Sequence, residues 1–179
     1  SYIEAKAIPE KLAPKETGII RLTFHSEKYP FLGINRTNVY LARYPGDKVG
    51  EDNQLDVISV LLPDFSKLTT AQRAMAPVVQ LSATEIDFGE MGNKKTLKKH
   101  ITITNTGRSD LKMEDIQVTS PALNVSLKKQ VLAPGKSTKM YISVNAKYLR
   151  SNAKRTPRVL MITNDPKHPK NEITIKVKK

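Results

Sequence analysis

The side chains best equipped to do chemistry in this chain are cations. Lys94, Lys95, Lys98 and Lys99 crowd the start of one predicted strand, and Lys147, Arg150, Lys154, Arg155 and Arg158 fill one long connection. Ammonium and guanidinium groups at this density hold phosphates, sulfates or carboxylates. The nine residues are therefore candidate contacts for a polyanion such as a glycan, a lipid headgroup or nucleic acid. The competing reading is a solvated surface that keeps the protein soluble. Binders of single-stranded nucleic acid interleave stacking aromatics with such cations. Here the same half of the chain offers only Phe88, Tyr141 and Tyr148, with Phe88 expected in the core. On a β-sandwich the two runs can also fall at opposite ends, where they make no single patch.

Other chemistries find little footing. His25, His100 and His168 are the three histidines, and none has a second histidine or a carboxylate at a spacing that suggests a metal site. His25-Ser26 are neighbours in sequence, but a catalytic triad is defined in space. The sequence contains neither a phosphate-cradling glycine loop nor a nucleophile elbow. It has no Cys, which excludes disulfides and thiolate metal ligands and says nothing of compartment. The expectation is a non-enzymatic protein with no catalytic residue, cofactor or metal site.

The scaffold for these residues is legible in composition. A chain of 179 residues has room for one large or two ordinary domains, and 39% hydrophobic content without Trp suits thin sandwiches better than one thick core. No apolar run approaches the roughly 18 residues of a membrane helix, so no membrane span is expected. The net charge of +13 is unevenly placed: residues 1–76 hold 10 basic and 9 acidic side chains, residues 77–179 hold 20 and 8.

Shifted by 120 residues, the chain repeats itself. Leu12-Ala13-Pro14 falls on Leu132-Ala133-Pro134, Ile20, Leu22 and Phe24 fall on Met140, Ile142 and Val144, and Val39-Tyr40-Leu41 falls on Val159-Leu160-Met161. After a loop two residues shorter in the second copy, Leu55, Val57 and Ser59 fall on Ile173, Ile175 and Val177. A fixed offset that keeps apolar positions in phase marks a duplicated unit.

The second copy reads as seven or eight short strands. Leu97, Ile101 and Ile103 share one face, Leu123, Val125 and Leu127 alternate with polar neighbours, and so do Met140, Ile142 and Val144. Turns fall at Asn105-Thr106-Gly107, Ala133-Pro134-Gly135 and Asn164-Asp165-Pro166. This spacing predicts a β-sandwich.

The first copy supplies counterparts of the last four strands only, near 2–8, 18–25, 38–43 and 54–62. Residues 77–119 have no counterpart in it. We expect it to be an incomplete sandwich of two facing hairpins, which does not stand alone and pairs with a protein partner or with its own missing N-terminal strands. Between the copies Thr69-Thr70-Ala71-Gln72 fits a helix capping box, packed through Leu68 and Met75 as a semi-rigid joint. The expected organisation is 1–63 as a partial domain, 64–77 as a linker with a short helix, and 78–179 as a complete domain.

Ile86-Asp87-Phe88-Gly89, Ile103-Thr104-Asn105-Thr106-Gly107, Leu132-Ala133-Pro134-Gly135 and Thr163-Asn164-Asp165-Pro166 follow in an order that carries a resemblance. Together with the linker from Asp64 to Pro77 they resemble the immunoglobulin-like domains related to Hydin and the abnormal-spindle protein. More narrowly, they resemble a bacterial family of exported proteins of unknown function with tandem domains of this kind. The resemblance implies an all-β fold of two tandem immunoglobulin-like sandwiches and a periplasmic or cell-surface location. It implies a structural or protein-interaction module, with polyanion binding through the basic second domain as the alternative. Many members of that family carry Cys-Gly-Cys after the third strand. This chain has Thr119-Ser120-Pro121 there, which removes any redox or metal role that would accompany the cysteines.

Overall fold

The structure, a computed structural model, describes residues 2–149 and 156–178. The fold is all-β, and the chain divides into two compact units, Ser1–Leu61 and Leu62–Lys179.

The second unit opens with helix α1 (Thr70–Ala74) and continues as nine strands. These are β5 (Val79–Leu81), β6 (Glu85–Glu90), β7 (Thr96–Asn105), β8 (Leu111–Val118), β9 (Leu123–Leu127), β10 (Val131–Leu132), β11 (Ser137–Asn145), β12 (Arg158–Thr163) and β13 (Lys170–Lys178). One sheet has the order β5-β7-β11-β9 and the other β10-β8-β12-β13-β6. All ladders are antiparallel except that of β13 with β6, which is parallel. Strict alternation in β11 sends Met140, Ile142 and Val144 to the interior, each fully buried, while Lys139 stays in solvent. Ile101, Ile103, Leu123, Val159, Met161, Ile173 and Ile175 join them, with Leu97, Val125, Leu127 and Val177 packed at the margin. The alternation misses Leu160 and Ile162, which are buried although they fall on the other face of β12.

The turn residues do more than turn the chain. The buried Asn105 amide donates to the Leu132 carbonyl at 2.8 Å and to Ser109 at 2.8 Å, while its oxygen accepts from Gly107 N–H at 2.9 Å. Asp165, also fully buried, accepts from Val79 N–H at 3.0 Å and from Lys167 N–H at 2.8 Å. Asn164 accepts from Lys112 N–H at 2.7 Å and donates to the Asp110 carbonyl at 3.0 Å. Three polar side chains thus join segments far apart in sequence, where a buried polar group left unpaired would be costly. Gly107 is required by close approach: a Cβ there would lie 2.3 Å from Val78 N and 2.5 Å from the Ala76 carbonyl oxygen. That contact, with the Arg108 N–H bond to Ala76, ties the entering segment to the sandwich. The capping box forms as predicted, Gln72 N–H to Thr69 Oγ1 at 3.2 Å and Thr69 N–H to Gln72 Oε1 at 2.9 Å. Met75, expected to pack down, is exposed.

The first unit contains β1 (Ile3–Ile8), β2 (Ile19–Phe24), β3 (Gly33–Tyr40) and β4 (Gln54–Leu61), paired as two separate antiparallel hairpins, β1-β2 and β3-β4. Its registers reproduce those of the second unit. Ile3 faces Phe24 as Leu123 faces Val144, and Val39 faces Leu55 as Val159 faces Ile173. The third strand runs over 33–40 rather than 38–43. Its ladder with β4 closes at Tyr40, and the chain then enters a loop in which the Arg43 guanidinium and main-chain N–H both grip Asp47. Tyr2, Phe24, Tyr29 and Phe31 form an edge-on aromatic cluster with ring centroids 4.7 to 5.9 Å apart. The Tyr2 hydroxyl lies 3.4 Å from that of Thr37 in the other hairpin. No apolar layer closes between the hairpins: among the described residues of this unit only Gly33 is buried.

Candidate basic end of the second unit

The strand ladders decide where the candidate cations meet. Asn145 at the end of β11 sits opposite Thr96 at the start of β7, and Ala146 N–H bonds to the Lys95 carbonyl at 3.0 Å. The turn carrying Lys94 and Lys95 therefore lies against the helical turn 146–148 that carries Lys147. Met91 N–H bonds to the Lys178 carbonyl at 2.8 Å, which brings the end of β13 to the same place. Lys147, from the second run, therefore lies beside Lys94 and Lys95 of the first, at one end of the sandwich and not at the opposite end. Arg150, Lys154 and Arg155 lie outside the described residues.

Within this end the lysines differ in employment. Lys98 points from the outer face, with its ammonium 4.7 Å from the centre of the Tyr141 ring, against which His100 also packs at 5.5 Å. Lys147 stands 5.4 Å from the ring of the exposed Tyr148. Lys99 lies on the inward side of β7, where it donates to the Asp87 carbonyl and stands 5.8 Å from the Phe88 ring. Although exposed, it sits at the rim of the core. Arg158 belongs to the other sheet and bonds Glu172 at 3.0 Å, a carboxylate also held by Lys170 at 3.0 Å. The Lys170 ammonium, with Arg158 behind it, keeps the Glu172 carboxyl below the usual carboxylate range. Lys94, Lys95, Lys98 and Lys147 are thus brought together, whereas Lys99 and Arg158 have protein partners. Sequence runs miss Lys178, because only the pairing of β13 with β6 carries it there.

A second basic feature was invisible in sequence. At the opposite end of β7, Arg73, Arg108 and Lys167 line a shallow groove beside Gly107 and Pro166. They come from helix α1 and two separate turns, so no run announces them.

Two of the three histidines acquire carboxylate neighbours that spacing did not suggest. His25 lies 3.3 Å from Glu27 and 3.6 Å from Glu4, and His168 lies 3.4 Å from Asp165. Among the described residues, no group of three His, Cys, Asp or Glu side chains is arranged to hold a metal. No helix among them is long and apolar enough to cross a membrane.

Residues 77–178 match the family described as HYDIN/CFA65/VesB-like, Ig-like domain. Among solved structures, a protein of unknown function from Porphyromonas gingivalis W83 aligns over 100% of this chain and 80% of its own, with TM-score 0.66 and 20% identity. The VesB protease of Vibrio cholerae aligns over 56% of this chain and 32% of its own, with TM-score 0.44 and 16% identity. A curated dephospho-CoA kinase from Bartonella quintana is 27% identical over 107 residues, 59% of this chain and 55% of that protein. The chain thus spans about half the length of the curated relative it matches.

Proposed function

Because this chain belongs to the HYDIN/CFA65/VesB-like family of immunoglobulin-like domains, we propose that it is a non-enzymatic, extracytoplasmic module that binds protein through its first unit. The observation that carries the reading is exposure. Ile20, Leu41 and Leu55 are 36–38% exposed, while their repeat counterparts Met140, Met161 and Ile173 are fully buried. Among the described residues, no further strand pairs with the edges of β2, β3 and β4 that their counterparts use for ladders. Open edges and uncovered apolar positions suit partner capture better than catalysis.

The similar kinase does not alter this reading. The phosphate-cradling pattern G-x-x-x-x-G-K-[ST] is absent from this sequence. The motif residues Asn105, Asp165 and Gly107 are occupied in holding the sandwich together. The periplasmic or cell-surface location rests on the family resemblance and is tested by fractionating cells for the native protein.

To test the binding role, a photo-crosslinking residue is placed at Thr23 on β2 or at Lys139 on the outer face of β11. Protein adducts are expected at Thr23 and not at Lys139 in intact cells. Equal labelling at both positions, or none, overturns the reading.

One observation favours polyanion binding as a second activity: Lys94, Lys95, Lys98 and Lys147 meet at one end beside Tyr141 and Tyr148. Reversing Lys95, Lys98 and Lys147 to Glu is expected to abolish heparin retention. In the unmodified protein, retention falls steeply with salt as counterions are released. Unchanged retention removes this end from consideration.

A further inference from the structure

The first unit reproduces half of the second so faithfully that the other half can be read as a template for what covers it. In the second unit β11 pairs with β9 on one side and with β7 on the other, β12 pairs with β13 and β8, and β13 pairs with β12 and β6. Among the described residues the first unit has only the β9–β11 and β12–β13 ladders, as β1-β2 and β3-β4, in identical register. What β6, β7 and β8 bring to the second unit is Ile86, Phe88, Ile101, Ile103, Leu111 and Met113, all buried. They close over Met140, Ile142, Val144, Val159, Met161, Ile173 and Ile175. The matching positions of the first unit are Ile20, Leu22, Phe24, Val39, Leu41, Leu55 and Val57, and not one of them is buried. They have the chemistry of a sandwich interior, and among the described residues no second layer buries them.

Resting on the interaction role proposed above, we propose that the first unit is a strand acceptor, and we name its occupant. It is one contiguous segment of about forty residues with the strand and apolar pattern of residues 77–119. Three of its strands, the counterparts of β6, β7 and β8, cover the unit: that of β7 adds antiparallel to β2, that of β8 antiparallel to β3, and that of β6 lies parallel beside β4. The directions follow from the ladders of the second unit, and the length follows from the stretch that supplies them there. Contiguity matters because the three strands serve both hairpins and lock them together, which a single added strand does not. Charge sets no obstacle: residues 1–61 carry eight basic and eight acidic side chains, so the acceptor does not repel a segment of either sign. Specificity then lies in the alternation, which must present apolar side chains at every second position toward Leu22 and Val57.

The experiment joins an additional copy of residues 77–119 ahead of Tyr2 in the full chain and follows amide hydrogen exchange by mass spectrometry. In the unmodified chain, 19–24 and 34–40 are expected to exchange within about tenfold of an unfolded peptide. With the added segment they are expected to slow by at least a hundredfold, while β11 and β12 are unchanged. A chain carrying a Gly/Ser segment of equal length controls for tethering. A further chain, with Asp at the added copy's counterparts of Ile101 and Ile103, is expected to lose the protection while the second unit stays folded. Equal exchange with and without the added segment overturns the proposal. So does full protection in an unmodified monomer, which needs no occupant. A dimer of the unmodified chain protected at β2 and β3, seen by light scattering at twice 20.0 kDa, overturns it in favour of a second copy. Adducts at Thr23 without protection by the added segment leave the interaction role standing and sink only the occupant named here.

Discussion

Asn105 shows how much one side chain can organise. Its carboxamide satisfies groups from the turn after β7 and from Leu132, at the end of β10, and it does so fully buried. Asn105→Ala removes these partners without refilling the space, and is expected to destabilise the protein by about 3 kcal/mol in urea denaturation. Asn124→Ala, on the exposed side of β9, is expected to stay within about 0.5 kcal/mol. Comparable losses for the two overturn the assignment. Asp47 offers a pH test. The Arg43 side chain, aided by its main-chain N–H, holds the Asp47 carboxyl down to about 2. A depressed carboxylate stabilises at pH above its unfolded value near 4 and loses that contribution as pH falls through its folded value. The clasp around 43–47 is therefore expected to persist at pH 3 and open near pH 2. A carboxyl carbon titration by NMR with a midpoint near 4 refutes it.

Single elements show where sequence patterns inform and where they stop. The alternation in β11 and the capping box at Thr69 are local, and both were legible because helix and strand periods and cap chemistry operate within a few residues. Thr69→Ala is expected to cost about 1 kcal/mol of helix stability, read as faster exchange of the Gln72 and Arg73 amides. Unaltered exchange means the hydroxyl contributes nothing. The repeat transferred register correctly between units, yet misplaced the start of β3, because a strand ends where its ladder partner ends. For β3 that partner is β4, reached through the Arg43–Asp47 loop. Buried Leu160 and Ile162 also escaped the pattern, since alternation describes a sheet with one wet face and β12 buries both. The meeting of Lys95 with Lys147 depends on the β7–β11 ladder spanning about fifty residues, and no local run encodes such a pairing. The carboxylates beside His25 and His168 were missed differently. The contacts of His25 with Glu27 and of His168 with Asp165 are short in sequence, but which way a side chain points in a turn is set by backbone geometry that spacing does not report.

At the scale of the whole molecule, two copies of one pattern have different fates. Among the described residues the second holds a closed hydrophobic interior and the first none, and nearly all the net positive charge belongs to the closed one. On the role proposed above, one unit is the rigid anchor and the other the receiver. The parallel ladder of β6 with β13 adds a mechanical property to the anchor. Tension that draws the start of β6 and the end of β13 apart runs along both strands. It loads the pairs Thr174–Glu85, Ile175–Ile86 and Lys176–Asp87 together, in shear. Bonds pulled in shear share the load, whereas an unzipping hairpin yields one pair at a time. Stretched between residues 62 and 178 in an optical trap, the second unit is expected to give way in one abrupt step. Replacing Ile86 by Pro removes a backbone donor within that ladder and is expected to lower the rupture force markedly. A gradual, low-force extension of the unmodified unit contradicts this. A domain that keeps its shape under load can serve as a link in a tethered chain of modules.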